Sequence, residues 1–218
     1  MLYYDFGAGV EALSTNRSDA VDFEVTLPVH QAHGSKVAEV PCPSERLHGV
    51  DALITDRPGV RIGVKTADCV PILLLDTRRR AVAAIHSGWR GTHADIIAAT
   101  MAAMRQRYGT RGEDCRAVIG PCIHLDAFEV GDELHEVFET AGYGCHTARL
   151  PRFGTDNEDV KWHINLPGIC RRQLARQGVT RVEVRPECTY TLHHLFFSAR
   201  RLGPDFDRQR IINAIMLV

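Results

Sequence analysis

The chain has 218 residues, of which 44% are hydrophobic and 24% charged, and its formal net charge at pH 7 is -1. A single hydrophobic core can serve a chain of up to roughly 250 residues, so this length predicts one domain spanning residues 1–218. The balanced charge gives no field that would gather polyanions, which disfavours nucleic acid as a partner.

The sequence carries no targeting or membrane signal that we can identify. The N-terminus lacks a basic region followed by an apolar one, and no apolar run approaches the roughly 18 residues of a membrane span. We therefore expect a cytoplasmic protein that does not bind a membrane. Seven cysteines, an odd number without paired spacing, favour reduced thiols over a disulfide framework.

The predicted elements begin with short β-compatible runs separated by proline and glycine, at residues 23–27, 36–40, 52–55 and 60–66. Two continuous apolar runs follow at 70–76 and 81–85. Such runs are typical of strands that are buried on both faces. We place this pair, joined by a turn at 78–80, at the centre of the fold.

The most regular helical pattern lies at residues 93–109. The apolar residues at helical spacing on its inward face are Ala94, Ile97, Met101, Met104 and Tyr108. Thr92, with Asp95 three residues later, has the pattern of a capping box, and Gly109 stands where a C-terminal glycine is expected. The helix is therefore expected to begin just after Thr92.

The second half of the chain alternates helices and strands less regularly. We predict a strand at 115–120, helices at 132–141 and 167–177, and strands at 182–184 and 210–217. In the first of these helices, Leu134, Val137 and Phe138 should face inward. Strands outnumber helices and occur in groups, so the pattern predicts an α+β fold with mixed sheets.

Two reactive side chains follow apolar runs at points where the chain turns, Cys69 and His86. A thiolate and an imidazole can bind zinc, and the same pair can form a nucleophile and its base. A catalytic zinc needs about three protein ligands, and His33, which precedes a glycine, is the best candidate for the third. Eleven histidines and seven cysteines allow many such combinations, so the residue types alone leave both uses open.

Six motifs carry a resemblance to a known family. In chain order they are QAHGSKV, DALIT, TADCVPILL, AAIHSGWRGT, IGPCI with FEVGDEL, and CTYT with FFSARR. Together they resemble the bacterial YfiH-type family, also called the laccase-domain or multicopper polyphenol oxidoreductase family and now regarded as purine nucleoside phosphorylases. The resemblance runs from about Gln31 to the C-terminus.

This resemblance implies a four-layer α/β/β/α fold and a zinc ion held by His33, Cys69 and His86. It also implies phosphorolysis of adenosine, inosine or guanosine, with adenosine deamination as a second activity. The substrates would be a purine nucleoside and phosphate. The segment before His33 is shorter than in similar members, since only fifteen residues separate it from Arg17, so we expect a shortened N-terminal region.

Phosphorolysis requires an anion site beside the sugar. Arg90 and the backbone amides of Gly91 and Thr92 lie at a predicted helix N-terminus, where anions bind favourably. A lone arginine more often pairs with a carboxylate. Because Arg90 lies four residues after His86, we give anion binding and carboxylate pairing equal weight. Weaker candidates for the same role are Arg17, Arg200 and Lys36. The Ser198 hydroxyl is a further candidate for contact with the substrate, or it makes an ordinary structural hydrogen bond.

Asp68 is the candidate for proton transfer because it adjoins Cys69. A carboxylate there could serve a zinc-bound water that attacks C6 of adenine. Adjacent side chains on a strand point to opposite faces, however, and Asp68 would then hold the loop around Cys69 through backbone contacts. The sequence leaves both roles open.

Three other functions compete with the zinc-dependent phosphorylase. Cys69 and His86 could serve a cysteine hydrolase or transferase. The chain could also be a zinc-stabilised binding module without turnover. A copper-dependent oxidase is less favoured, because it requires an axial methionine and further histidine clusters, and none of the four methionines lies in a suitable motif.

Overall fold

The computed structural model describes residues 1–42, 47–154, 160–205 and 209–218. The strands are β1 (Leu2–Tyr3), β2 (Val10–Ser14), β3 (Val37–Glu39), β4 (Ala52–Thr55), β5 (Ile62–Thr66), β6 (Val70–Asp76), β7 (Ala81–Ser87), β8 (Cys115–Ile119), β9 (Glu129–Val130), β10 (Thr147–Pro151), β11 (Val160–Ile164), β12 (Arg181–Val184) and β13 (Ile211–Leu217). The helices are α1 (Trp89–His93), α2 (Ile96–Tyr108), α3 (Asp132–Phe138), α4 (Leu166–Arg176) and α5 (Ala199–Leu202).

These strands form three sheets, and the largest is the centre of the fold. It has six strands in the order β12-β8-β6-β7-β4-β3, in which the two outermost pairs are parallel and the inner pairs antiparallel. A four-stranded sheet has the order β1-β2-β13-β5, and a three-stranded sheet the order β10-β11-β9. The predicted α+β class with mixed sheets is confirmed.

The predicted central pair, β6 and β7, is confirmed, and every residue of both strands is buried. Successive side chains on a strand point to opposite faces. On β6, Ile72 and Leu74 pack in the cluster that contains Met101 of α2, whereas Leu73 and Leu75 pack in the cluster of the four-stranded sheet. The central sheet therefore lies between a helical layer and a second sheet.

The segment around Thr26 lies against Gly63 of β5, an outermost strand of the four-stranded sheet. A Cβ at Gly63 would lie 3.1 Å from side-chain atoms of Val25 and Leu27 and 2.9 Å from the Asn213 carbonyl oxygen. The prediction of a strand at residues 23–27 is wrong, because Thr26 alone in this segment forms a β-bridge, with Ile62. The Thr26 amide donates to the Arg61 carbonyl oxygen and the Gly63 amide donates to the Thr26 carbonyl oxygen, so Thr26 pairs with the outer side of β5 at this one point.

Helix α2 begins later than predicted. Asp95 is its N-terminal cap and accepts a hydrogen bond from the Ala98 amide at 3.0 Å, so the predicted capping role of Thr92 is wrong. The chain reverses between α1 and α2, and Asp95 adopts a left-handed backbone with φ of 51°. Ala94 is exposed in this reversal, whereas Gly109 ends the helix with φ of 72°, as predicted.

Helix α3 is shorter than the predicted segment, because the chain continues from Phe138 into a wider helical turn. Phe138 is fully buried as expected, but Val137 is 36% exposed, so its predicted inward position is wrong. None of the helices in the described part combines the length and apolar character needed to cross a membrane. Each of the seven cysteines is a reduced thiol outside any disulfide, as predicted.

The cap of α2 gives a test of this fold. Replacing Asp95 by Ala removes the side-chain acceptor and places Cβ-bearing alanine in a left-handed conformation, so we expect the free energy of unfolding to fall by about 2 kcal/mol. Asp95→Asn keeps both the acceptor and a residue that tolerates positive φ, and should cost no more than about 0.5 kcal/mol. Urea denaturation of both variants measures the difference, and equal losses would contradict the assigned cap.

Candidate metal centre

The side chains of the site lie at one edge of the central sheet, where two strands begin and a third ends. Strand β7 runs antiparallel to both β4 and β6, so the end of β7 lies beside the starts of its two neighbours. His86 lies near the end of β7, Cys69 directly precedes β6, and Asp51 directly precedes β4. Strand β3 runs parallel to β4, so the loop before β3, which contains His33, reaches the same edge.

The potential ligand atoms of His33, Cys69 and His86 all lie within 4.8 Å of one another. The His33 and His86 rings meet edge to face, with their centroids 4.7 Å apart. His86 is only 2% exposed, Cys69 is half-buried and His33 is exposed. The cluster thus has a rigid inner side and one side open to the surface.

The Asp51 carboxylate holds two of these side chains in place. Its Oδ1 accepts hydrogen bonds from His86 Nδ1 at 2.8 Å and from the His33 amide at 2.9 Å, and its Oδ2 accepts from the Gly34 amide at 2.9 Å. Because Nδ1 of His86 donates to Asp51, Nε2 is left to act as a ligand. His33 is held with φ of 59°, a left-handed conformation that few non-glycine residues adopt.

Sequence reasoning missed Asp51, although it begins the DALIT motif. A carboxylate that is fully buried directly before a strand is unusual, and burial becomes visible only once the strand is placed. Burial alone would raise the pKa of the Asp51 carboxyl, but hydrogen bonds from His86, Gly34 and His33 hold that pKa below its ordinary value. Asp51 is therefore a permanent anion behind the site.

The electrostatics of the ligands follow from this arrangement. Burial alone would raise the pKa of the Cys69 thiol, but the neighbouring His33 and His86 lower it from 9.0 to about 6. Burial would likewise lower the pKa of His86, but Asp51 and the Cys69 thiolate raise it from 6.5 to about 9. Without a cation, Cys69 is therefore a thiolate beside a protonated His86 at neutral pH.

Glycines leave the space that the cluster needs. A Cβ at Gly88 would lie 3.0 Å from His33 Cδ2 and 3.1 Å from Cys69 Sγ. Any side chain at Gly88 would therefore enter the centre. A Cβ at Gly91 would lie 2.9 Å from the Gly34 carbonyl oxygen, so α1 packs directly against the loop that carries His33.

The donor set fits a metal ion. One sulfur and two imidazole nitrogens suit zinc and other borderline or softer ions, and do not suit magnesium or calcium. Three converging ligands with one open side are the arrangement of a catalytic site that keeps a position for water or substrate. Within the described residues this is the one group of three or more His, Cys, Asp or Glu side chains placed to hold an ion.

Asp68 lies beside this centre but is occupied by other partners. Its Oδ1 accepts from the Thr189 hydroxyl at 2.7 Å, and its Oδ2 accepts from the Arg200 amide at 2.7 Å. Its carbonyl oxygen accepts from the Ile123 amide at 2.9 Å, and its backbone is left-handed with φ of 88°. Asp68 therefore ties the Cys69 loop to the C-terminal part of the chain.

The three residues of α1 that were proposed for anion binding differ in their exposure to solvent. Arg90 is exposed, and its guanidinium lies 4.2 Å from the centroid of the Trp89 ring. Gly91 and Thr92 are buried. The Thr92 amide donates to the Gly88 carbonyl oxygen, and the Thr92 hydroxyl lies 2.8 Å from the Ser87 hydroxyl oxygen. Among Arg90, Gly91 and Thr92, only Arg90 exposes its side chain to solvent.

Of the other two candidate arginines, Arg200 lies in the C-terminal part of the chain and Arg17 contacts that part from the N-terminal side of the sequence. Arg200 donates from Nη1 to the Glu129 carbonyl oxygen at 2.7 Å and covers the Phe128 ring, and its amide bonds to Asp68. Arg17 donates to the His193 carbonyl oxygen at 3.1 Å and covers the Phe197 ring at 4.8 Å. Arg200 is thus joined to the Cys69 loop through Asp68.

The remaining candidates lie outside the cluster. Lys36 is exposed in the loop before β3. The Ser198 hydroxyl caps α5 by accepting from the Arg201 amide at 3.1 Å. These placements assign Ser198 a structural contact and leave Lys36 on the surface.

Comparison with known proteins finds a match along nearly the whole chain. The sequence model of the family described as multi-copper polyphenol oxidoreductase laccase matches residues 6–218. A purine nucleoside phosphorylase of Bacteroides thetaiotaomicron is 47% identical over 176 residues, which cover 79% of this chain and 63% of that protein. The chain thus spans less than two thirds of the length of that relative.

Other relatives extend this comparison. Adenosine deaminase RL5, from an unknown prokaryotic organism, is 38% identical over 196 residues, which cover 84% of this chain and 72% of the relative. The crystal structure of Neisseria meningitidis protein NMB0706 has a TM-score of 0.84 at 26% identity, covering 99% of this chain and 98% of that one. YfiH of Bacillus licheniformis has a TM-score of 0.77 at 27% identity, covering 89% and 74% of the two chains. The expected YfiH-like fold is confirmed.

Asp51 provides the first test of the site. Asp51→Asn replaces one acceptor by a donor and removes the charge behind His86, so metal affinity should fall about 10–100-fold. The measurement is competition with a chromophoric chelator. The matched control is Asp76→Asn, another fully buried carboxylate, which accepts from the Arg78 and Arg79 amides at the opposite end of β6. An equal loss of metal affinity in both variants would contradict the role of Asp51.

Alkylation of Cys69 tests the electrostatics of the metal-free site. The thiolate is the reactive form, so the rate with iodoacetamide should rise as pH increases through about 6 and level off near neutral pH. An ordinary thiol would continue to gain reactivity up to about pH 9. Exposed Cys42 and Cys145 should be replaced by Ser first. A rate that still rises steeply above pH 7 would contradict the thiolate, and added zinc should protect Cys69.

Proposed function

The chain belongs to the multi-copper polyphenol oxidoreductase laccase family, and on that premise we propose that it is a zinc-dependent purine nucleoside phosphorylase. It would convert adenosine, inosine or guanosine and phosphate into the free base and ribose 1-phosphate. Adenosine deamination would be a second activity of the same site. The names of the relatives from Bacteroides thetaiotaomicron and of the deaminase RL5 support this pair of activities.

The single observation that carries the proposal is the convergence of His33, Cys69 and His86 at an edge of the central sheet. We propose zinc as the ion because the set is one thiolate and two imidazoles with an open side. A multicopper oxidase also requires histidine clusters for oxygen reduction, and the described residues offer a single cluster. The buried methionines Met101 and Met104 belong to the helical core.

Bound at this centre, zinc would supply Lewis-acid polarisation and a bound water of lowered pKa. The chain's own residues supply orientation. Asp51 fixes the His86 ring and the His33 backbone, so the ligands keep their geometry before any ion binds. Gly88 keeps the approach to Cys69 free of a side chain.

Phosphate binding is assigned to arginines in this proposal. The sugar gains positive charge as the glycosidic bond breaks, and phosphate must be held beside C1′. Arg200 is the favoured contact because its backbone is bonded to Asp68, next to Cys69, and Arg90 and Arg17 are further candidates. Gly91 and Thr92 would shape the loop through their buried backbone. Asp68 would act by positioning the Cys69 loop.

A cysteine hydrolase or transferase is the second candidate, and one observation favours it. Asp51, His86 and Cys69 are arranged as an acid, a base and a thiolate, with the Asp51 to His86 hydrogen bond at 2.8 Å. The third member of the cluster, His33, has no part in such a triad. Metal content distinguishes the two, because a zinc-bound thiolate cannot act as the nucleophile.

The decisive experiment incubates the zinc-loaded protein with adenosine, inosine and guanosine, with and without phosphate, and separates the products chromatographically. We expect free base and ribose 1-phosphate only when phosphate is present. His33→Ala and Cys69→Ala should lose bound zinc and lower turnover by at least about 100-fold, because each removes a ligand.

The matched control is Cys145→Ala, which removes an exposed cysteine outside the cluster and should change neither zinc content nor turnover. Turnover that survives both ligand substitutions would overturn the proposal. Stoichiometric zinc without any product would instead favour a zinc-stabilised binding module. A metal-free protein that is active and inactivated by alkylation of Cys69 would favour the hydrolase.

A further inference from the structure

Two arginines of α4 lie beside the ring of a single tyrosine. The guanidinium carbons of Arg172 and Arg176 are 5.5 and 5.3 Å from the centroid of the Tyr143 ring. The two arginines stand four residues apart on the helix, a spacing at which like charges repel each other. Arg176 is exposed, whereas Tyr143 is only 4% exposed. Two positive charges are therefore held together beside one buried ring.

The contacts of these arginines leave their charge uncompensated. Arg172 donates from Nη1 to the Gly142 carbonyl oxygen at 2.8 Å and to Cys145 Sγ at 3.5 Å. Arg176 donates from Nη1 to the Tyr143 hydroxyl oxygen at 3.0 Å. None of these acceptors is a carboxylate, and the remaining N–H groups of both guanidiniums have no acceptor among the described residues. A guanidinium carries five N–H donors, so most of the donors of this pair remain available to a ligand.

The surroundings of the pair are positive on balance. Burial and the charge of Arg172 lower the pKa of His146, so this imidazole is neutral at neutral pH. The Glu139 carboxylate lies against Gly144, and it forms no ion pair with Arg172 or Arg176 in the described part of the chain. Among these groups two positive charges face one negative charge, which favours the approach of an anion.

The Tyr143 hydroxyl adds a buried donor. Its oxygen accepts hydrogen bonds from Gln173 Nε2 at 2.9 Å and from Arg176 Nη1 at 3.0 Å. A phenol hydroxyl also donates its own hydrogen, and no described residue accepts the hydrogen of Tyr143. A buried donor without an acceptor is costly. The hydroxyl therefore requires an acceptor beyond those that the described residues supply.

Gln173 connects this group to α1 without making it part of the metal centre. Gln173 is fully buried, and its Nε2 also donates to the Thr92 carbonyl oxygen at 2.7 Å. Its Oε1 has no hydrogen-bond partner among the described residues. The Thr92 hydroxyl lies 2.8 Å from the Ser87 hydroxyl oxygen, and Ser87 follows His86 on β7. The arginine pair is thus linked to the metal centre through several hydrogen bonds but contains none of its residues.

We propose that Tyr143, Arg172 and Arg176 form a second anion site, which binds a phosphate group. A carboxylate offers two coplanar oxygens, whereas a phosphate offers at least three in a tetrahedral arrangement and can meet three donors from different directions. Each guanidinium would donate to phosphate oxygens, and the Tyr143 hydroxyl would donate its remaining hydrogen. Inorganic phosphate and a phosphate monoester present the same oxygens. The inference does not depend on the proposed activity, because this phosphate is bound and not consumed.

The test is equilibrium dialysis of the zinc-loaded full chain against radiolabelled inorganic phosphate and, separately, ribose 5-phosphate. The proposed phosphorylase would also bind phosphate at the metal centre, so the measured quantity is the number of phosphates bound per chain. Arg172→Gln and Arg176→Gln should each weaken one site at least about tenfold and lower that number by one at moderate ligand concentration. Tyr143→Phe keeps the ring beside both guanidiniums and removes the hydroxyl, and should weaken the same site about tenfold.

The matched control is Arg171→Gln, which removes the same charge from an exposed position of the same helix and should bind as the unaltered chain does. An equal loss in Arg171→Gln would show a general effect of charge and overturn the site. Unchanged binding in Arg172→Gln and Arg176→Gln would overturn it as well. If Tyr143→Phe unfolds, the two arginine variants still decide the result. Within a positive result, the ligand that is lost from the variants shows whether the site takes inorganic phosphate, a monoester or both.

Discussion

The hydrogen bonds of the Asp51 carboxylate are the contacts on which the rest of the site depends. A buried carboxylate is costly unless donors surround it, and here the donors are the His86 ring and the amides of His33 and Gly34. The same bonds that stabilise the charge therefore fix two of the three potential ligands. Loss of the carboxylate would remove the hydrogen bonds that hold both His86 on β7 and His33 in the loop before β3.

Strand order explains how distant residues reach this carboxylate. His33, Cys69 and His86 are separated by tens of residues, but β3, β4, β7 and β6 are consecutive in the central sheet. Strands β4 and β6 begin directly after Asp51 and Cys69, and both run antiparallel to β7. Their starts therefore lie beside the end of β7, at one edge of the sheet. The buried β6 and β7 make that edge rigid, because packing on both faces leaves them no alternative register.

The parts of the fold that could be predicted from sequence are those with one dominant local signal. Strands β6 and β7 are apolar throughout, so burial on both faces was visible in the sequence. Strand β11 was missed because it mixes Lys161 and Trp162 with buried residues and has no regular period. Thr92 fitted a capping pattern, but its hydroxyl is held by Ser87, a contact that depends on the position of β7. Local apolar runs therefore identify β6 and β7, whereas the role of Thr92 depends on a tertiary contact.

The charge of the assembled site argues for a divalent cation over a cysteine nucleophile. Asp51 and the Cys69 thiolate carry two negative charges in a largely buried place, and a protonated His86 offsets only one of them. A dication bound by neutral imidazoles would balance both charges. In a nucleophile and base pair, by contrast, one imidazole is enough, and His33 would be a second imidazole beside the same thiolate. The presence of His33, held in a left-handed conformation by Asp51, is therefore best explained by an ion at the centre.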